Sequence, residues 1–111
     1  MLRFICDAAK MLEPDGMIVV IGHEADLVRD SLKESDVRFV LQAEQRGTGH
    51  AVMVARDLLE GMSGDLLVLY GDTPKIRHET LRKLAESHRM SGAATTLLTA
   101  RTDNPCGYGR I

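Results

Sequence analysis

The chain has no excess of positive charge. Its 14 Lys and Arg stand against 16 Asp and Glu, a formal net charge of −2, so nothing is set up to neutralise a nucleic-acid backbone. It has no long apolar run either. Stretches such as Met17–Ile21 and Leu66–Tyr70 fall far short of the roughly 20 residues a membrane span needs. No basic segment followed by an apolar one opens the sequence, so there is no sign of a secretory leader. Cysteine is scarce: Cys6 and Cys106 form no C-x-x-C pair, which argues against a zinc site or redox dithiol and for free thiols in a reducing cytoplasm. The four histidines, His23, His50, His78 and His88, lack metal-binding H-x-x-x-H spacing. Internal repeats, low-complexity linkers and a Ser-His-Asp arrangement are also missing.

What is present is ordinary globular material. The 111 residues are 44% hydrophobic and 27% charged, which excludes a wholly disordered or collagen-like chain and allows one domain with a modest core. Strand-length apolar runs alternate with helix-period stretches. Met17–Ile21 ends at Gly22 and Leu66–Tyr70 ends at Gly71. Runs apolar on both faces suit strands covered by helices on each side. Residues 37–42 and 93–100 are a third and fourth candidate strand.

Between them the period changes. Leu2, Ile5, Ala9 and Leu12 trace a helical face stopped by Pro14 and Gly16. Leu27, Val28 and Leu32 mark a shorter helix beginning near Glu24. Ala51, Val54, Ala55, Leu58 and Leu59 fit one amphipathic stripe, and Leu81, Leu84, Ala85 and His88 another. The order is a βαβ pattern of a Rossmann-like α/β fold, with a mostly parallel sheet and helices on both faces. One feature is unusual. No strand precedes the first helix, so the expectation is a sheet lacking its first strand.

Ligands bind such sheets beyond the carboxyl ends of the strands, and three constellations lie there. In residues 41–51, LQAEQRGTGHA, a strand runs into a polar loop that opens a helix. Gly47 and Gly49 allow close backbone approach, and Thr48 is placed to cap the helix, whose free N–H groups attract anions or carbonyl oxygens. The alternative is plain turn chemistry. In residues 70–74, YGDTP, Asp72 is either a hard-oxygen ligand for Mg2+ or the start of an Asx-type turn. In residues 107–110, GYGR, the glycines serve a hairpin turn or expose backbone to a sugar. Arg110 either reaches a phosphate or is solvated.

Together, LQAEQ-x-GTGHA, YGD-x-P and GYGRI resemble the uridylyltransferase domain of bacterial N-acetylglucosamine-1-phosphate uridyltransferases, bifunctional enzymes that also carry a glucosamine-1-phosphate acetyltransferase domain. The resemblance covers residues 1–111 and implies a partial nucleotidyltransferase domain of the nucleotide-diphospho-sugar transferase type, without the acetyltransferase β-helix. It implies synthesis of UDP-N-acetylglucosamine and pyrophosphate from UTP and N-acetylglucosamine 1-phosphate with Mg2+, in a cytoplasmic homotrimer making peptidoglycan and lipopolysaccharide precursors. By position, Gln42 would pair with the uracil edge, and Gly47 and Thr48 would line the base pocket. Tyr70, Gly71 and Asp72 would border the nucleotide-sugar, with Asp72 on the metal, and Gly109 would offer its N–H to the sugar.

A carboxamide matches uracil's donor flanked by acceptors, but a freely flipping amide would match cytosine too. Fixed donors near Gly47 and Thr48 are then needed for discrimination. The family's opening strand, its glycine-rich triphosphate loop and a second metal aspartate have no counterpart in these residues. Lys75 and Cys106 depart from residue types common there. The expectation is a part of such an enzyme, inactive as 111 residues alone; the alternatives to this enzyme reading are a catalytically inactive fragment or a small α/β nucleotide-binding module.

Overall fold

The computed structural model describes residues 1–22, 25–33, 35–73, 75–104 and 106. The chain opens with helix α1, Leu2–Lys10, whose inner face buries Ile5 and Cys6. It leaves the helix through Glu13 at φ 52°, just before the proline that cannot continue a helix. Strand β1, Ile18–Ile21, follows, then helix α2, Ala25–Ser31, and strand β2, Arg38–Leu41. The two strands are parallel, with Ile18 opposite Arg38, Val19 opposite Phe39, Val20 opposite Val40 and Ile21 opposite Leu41. A parallel pair requires a crossover between its strands, and α2 supplies it.

The core lies on one face of β1. Residues alternate along a strand, so Val19 and Ile21 are buried together while Ile18 and Val20 are only half-buried. Cys6 from α1 and Leu32 beyond α2 complete the cluster, flanked by Leu2, Ala25, Val28, Val37 and Phe39. Burial pushes the Cys6 thiol above its usual range, helped by the neighbouring Asp7 carboxylate and opposed by Lys10.

Helix α3, Thr48–Val54, packs against β1, and α4, Arg56–Leu59, follows it. The single apolar stripe expected over residues 51–59 is therefore two helices. The break is at Ala55, which is buried and bonds three residues back to the Val52 carbonyl at 3.1 Å. Such a tightened turn carries the stripe past the break. The fold closes with α5, His78–Ser91, which buries Leu81 completely and ends at Gly92 in the left-handed conformation, φ 61°. Glycine tolerates that conformation without a Cβ clash. Among the described residues no helix is long and apolar enough to cross a membrane.

The α/β class and the parallel pairing stand, but among the described residues the sheet has two strands where four were expected. Residues 66–70 and 93–100 form no ladder. A strand needs a neighbour for its backbone groups and cover for its side chains. Here Leu66, Leu67, Val68, Tyr70, Leu97 and Leu98 are exposed. The consequence is visible in the whole surface, 9143 Å², against about 6,100 Å² for a compact monomer of this mass. Side chains, not burial, tether these two runs to α5. Arg89 donates to Asp65 at 2.8 Å, and His88 lies 2.9 Å from the Thr96 hydroxyl and 3.7 Å from Asp65.

Candidate functional site

The carboxyl ends of β1 and β2 lie side by side, and the loop after β2 folds over them. Its backbone is pinned at the start, where the Gln42 N–H donates to the Ile21 carbonyl at 2.7 Å. Gln45 reaches back towards β1: a Cβ placed on Gly22 would stand 2.8 Å from the Gln45 amide nitrogen. Glu44 and Arg46 form an exposed ion pair, the kind that contributes about 0–1 kcal/mol.

The loop turns into α3 at Gly47, whose φ of 95° is a left-handed value that glycine adopts without strain. Its carbonyl oxygen accepts two hydrogen bonds. One comes from the Ala51 N–H at 3.2 Å, and the other from the Gln42 side-chain nitrogen at 3.1 Å. That same nitrogen lies 3.0 Å from His50 Nδ1. Three residues of the first constellation thus converge on one point: Gln42 from the strand end, Gly47 from the turn and His50 from the first turn of α3. The space around Gly47 and Gly49 is open, with nothing within 4 Å of a Cβ built on either.

Two expectations for this loop are corrected. Thr48 does not cap α3: it is the first helical residue, and the capping position falls on Gly47, which has no side chain to donate or accept. Nor is Gln42 a freely flipping amide. His50 was not singled out in the sequence, where its only signal is its place eight residues beyond Gln42.

Tyr70, Gly71 and Asp72 lie elsewhere. They are not at a strand end but in an exposed turn, closed by Thr73, whose hydroxyl and N–H both donate to the Tyr70 carbonyl at 2.9 and 3.4 Å. Thr73 rather than Asp72 makes the side-chain bond, so the Asx-type turn is not the arrangement found. Gly71 faces α1, with Leu2 Cδ1 3.6 Å from the position a Cβ would take. Among the described residues, no hydrogen bond or ion pair joins this turn to the 42–50 loop. No three His, Cys, Asp or Glu side chains there are grouped to hold a metal ion. Asp72 is a lone exposed carboxylate. Gly109 lies outside the described residues, as does Arg110.

Comparison with known proteins agrees with the motif resemblance. The MobA-like NTP transferase domain family matches residues 1–110. The chain is similar to the "Bifunctional protein GlmU" of Prochlorococcus marinus (strain NATL2A), 48% identical over 101 residues, covering 90% of this chain and 23% of that protein. It is 46% identical over 112 residues to the protein of the same name from Geobacter metallireducens, covering all of this chain and 24% of the relative. Enterococcus faecalis has another, 44% identical over 111 residues with the same coverage. The chain spans about a quarter of the length of these curated relatives.

Proposed function

The chain belongs to the MobA-like NTP transferase domain family, and from that premise we propose that it carries the uridine-recognising part of a uridylyltransferase centre. The reaction of that centre joins UTP and N-acetylglucosamine 1-phosphate into UDP-N-acetylglucosamine and pyrophosphate. The observation that carries this reading is the convergence of Gln42, Gly47 and His50 at the carboxyl ends of a parallel strand pair, where α/β sheets bind nucleotides.

In this reading the Gln42 amide meets the uracil edge, and Gly47 and Thr48 line the open space beside it. Tyr70, Gly71 and Asp72 border the nucleotide-sugar, and Gly109 offers a backbone N–H to the N-acetylglucosamine. The sugar phosphate attacks the α-phosphorus in line and pyrophosphate leaves, chemistry that depends on positioning and charge neutralisation rather than a protein nucleophile. A single exposed carboxylate such as Asp72 suits Mg2+ that arrives on nucleotide phosphates, not a preformed protein cage. When bound, Mg2+ would offset the charge of those phosphates. Cytoplasmic homotrimers feeding peptidoglycan and lipopolysaccharide precursors complete the proposal, resting on the motif resemblance alone.

A second reading has its own support. Among the described residues the Asp72 turn is not bonded to the 42–50 loop, and large apolar side chains stay exposed, so the 111 residues alone bind the nucleotide without turning it over. Titration with UTP and Mg2+ tests both readings. Gln42→Ala should weaken UTP binding about tenfold, since a lost hydrogen bond is worth about 1–3 kcal/mol when a partner is left unpaired. Asp72→Ala should remove the Mg2+ enhancement and spare uridine recognition. Unchanged UTP affinity in Gln42→Ala would overturn the base assignment. Pyrophosphate release from UTP and N-acetylglucosamine 1-phosphate by the purified chain would overturn the second reading.

A further inference from the structure

The Gln42 amide has two donors and one acceptor oxygen, and their orientation is legible from its partners. The Gly47 carbonyl oxygen can only accept, so the group 3.1 Å from it is the amide nitrogen. The second N–H of that nitrogen points to His50 Nδ1 at 3.0 Å. His50 must therefore accept at Nδ1 and carry its proton on Nε2. Turning the amide over would set its oxygen against the Gly47 carbonyl oxygen. Both donors are spent inside the protein, and only Oε1 remains to face a ligand.

We propose that His50 is a positioning residue which, with the Gly47 carbonyl, locks the Gln42 amide so that it presents only an acceptor, selecting pyrimidine bases with an N–H at N3 over those with a lone pair there. Uracil carries a hydrogen on N3 and donates it to Oε1. Cytosine sets a lone pair against the same oxygen. The selection at this atom rests on the base site proposed above, but the lock itself does not. It replaces the need for fixed backbone donors as the source of discrimination at N3. The Gly47 carbonyl is held in turn by the Ala51 N–H at 3.2 Å, so the first turn of α3 braces both partners of the amide.

The test uses the 111-residue chain. Gln45 is the only other glutamine and is exposed, which makes it an internal reference. In nitrogen-15 spectra, His50 Nδ1 should be unprotonated in the neutral ring, and the Gln42 side-chain N–H protons should exchange more slowly than those of Gln45. His50→Leu should reduce that protection markedly, leaving only the Gly47 bond, and His50→Asn, whose Oδ1 sits near the place of Nδ1, should restore much of it. The β1–β2 amide signals check that each variant folds. A protonated Nδ1, or Gln42 protons exchanging as fast as those of Gln45, would overturn the lock whatever the nucleotides do. UTP and CTP titrations read the consequence. The parent chain should prefer UTP, and His50→Leu should lose about tenfold of that preference, with His50→Asn between them. An intact lock in a chain that binds UTP and CTP alike would overturn the base-site reading and, with it, the role in selection.

Discussion

Residues 17–22 and 66–71 look alike as sequence: each is a run of five apolar residues closed by a glycine. In the fold they are opposites. The first becomes β1, paired along its length with β2 and covered on one face by Cys6, Leu32 and their neighbours. The second pairs with nothing among the described residues and leaves Leu66, Val68 and Tyr70 each more than half exposed. Composition is therefore not what makes a strand. β1 has a parallel neighbour that α2 returns to it, and two helices to cover its inner face. The 66–70 run has neither, and what holds it is a polar tether from Asp65 to α5. Burial stabilises by about 25 cal/mol for each Å² of apolar surface removed from water, while exposed ion pairs add about 0–1 kcal/mol. The first region should carry most of the stability.

The sharpest way to break that contrast is a pair of truncations. Leu32→Ala empties a fully buried site and should cost about 2–5 kcal/mol, enough to unfold a chain with so small a core. Leu67→Ala in the exposed run should stay within about 0.5 kcal/mol. Urea denaturation followed by circular dichroism measures both, and equal effects would show that the second run is packed after all.

A smaller difference should separate the cysteines. Cys6 is buried, with its thiol pushed up by that burial, whereas Cys106 is exposed. Only the thiolate is nucleophilic, so an alkylating reagent at neutral pH should modify Cys106 about tenfold faster or more. Comparable rates under native conditions would place Cys6 outside a closed core.

The least effect belongs to the polar tether. The Arg89 hydrogen bond holds the Asp65 carboxyl below its usual range; desolvation opposes it, and the charges of Arg89 and His88 reinforce it. A carboxylate with a depressed folded-state pKa stabilises above its unfolded pKa, and that contribution fades as pH falls through the folded value. Asp65→Asn should therefore change little in acid, where the carboxyl is already protonated, and loosen the end of α5 at neutral pH. Hydrogen exchange of α5 amides across that range, with and without the substitution, reads the sign. Exchange independent of both pH and residue 65 would mean that the pair tethers nothing.

Much of the candidate site was legible before the fold was known. Apolar periodicity placed α1, α2 and α5 close to their observed positions; α1 and α5 bury one face against the rest of the chain, while α2 is only half-buried through Ala25 and Val28 and leaves Leu27 exposed. The LQAEQ-x-GTGHA motif picked out Gln42 and Gly47, because a strand entering a glycine-bearing turn has few conformations open to it. The same reasoning failed at Thr48, where the turn put Gly47 in the capping position. It failed at Ala55 too, where burial of a small residue favoured a tightened turn over a continuous helix.

By itself the sequence determined the α/β class, the family resemblance, the inner faces of α1 and α5 and the parallel character of the sheet. These depend on periodicity and on residue types at short range. Only the tertiary structure decided which apolar runs became strands, since pairing depends on a neighbour that no run contains within itself. It alone brought His50 to the Gln42 nitrogen and set Asp72 apart from both. A hydrogen bond between a strand end and the following helix is fixed by how the loop between them turns, and residue spacing does not specify that path.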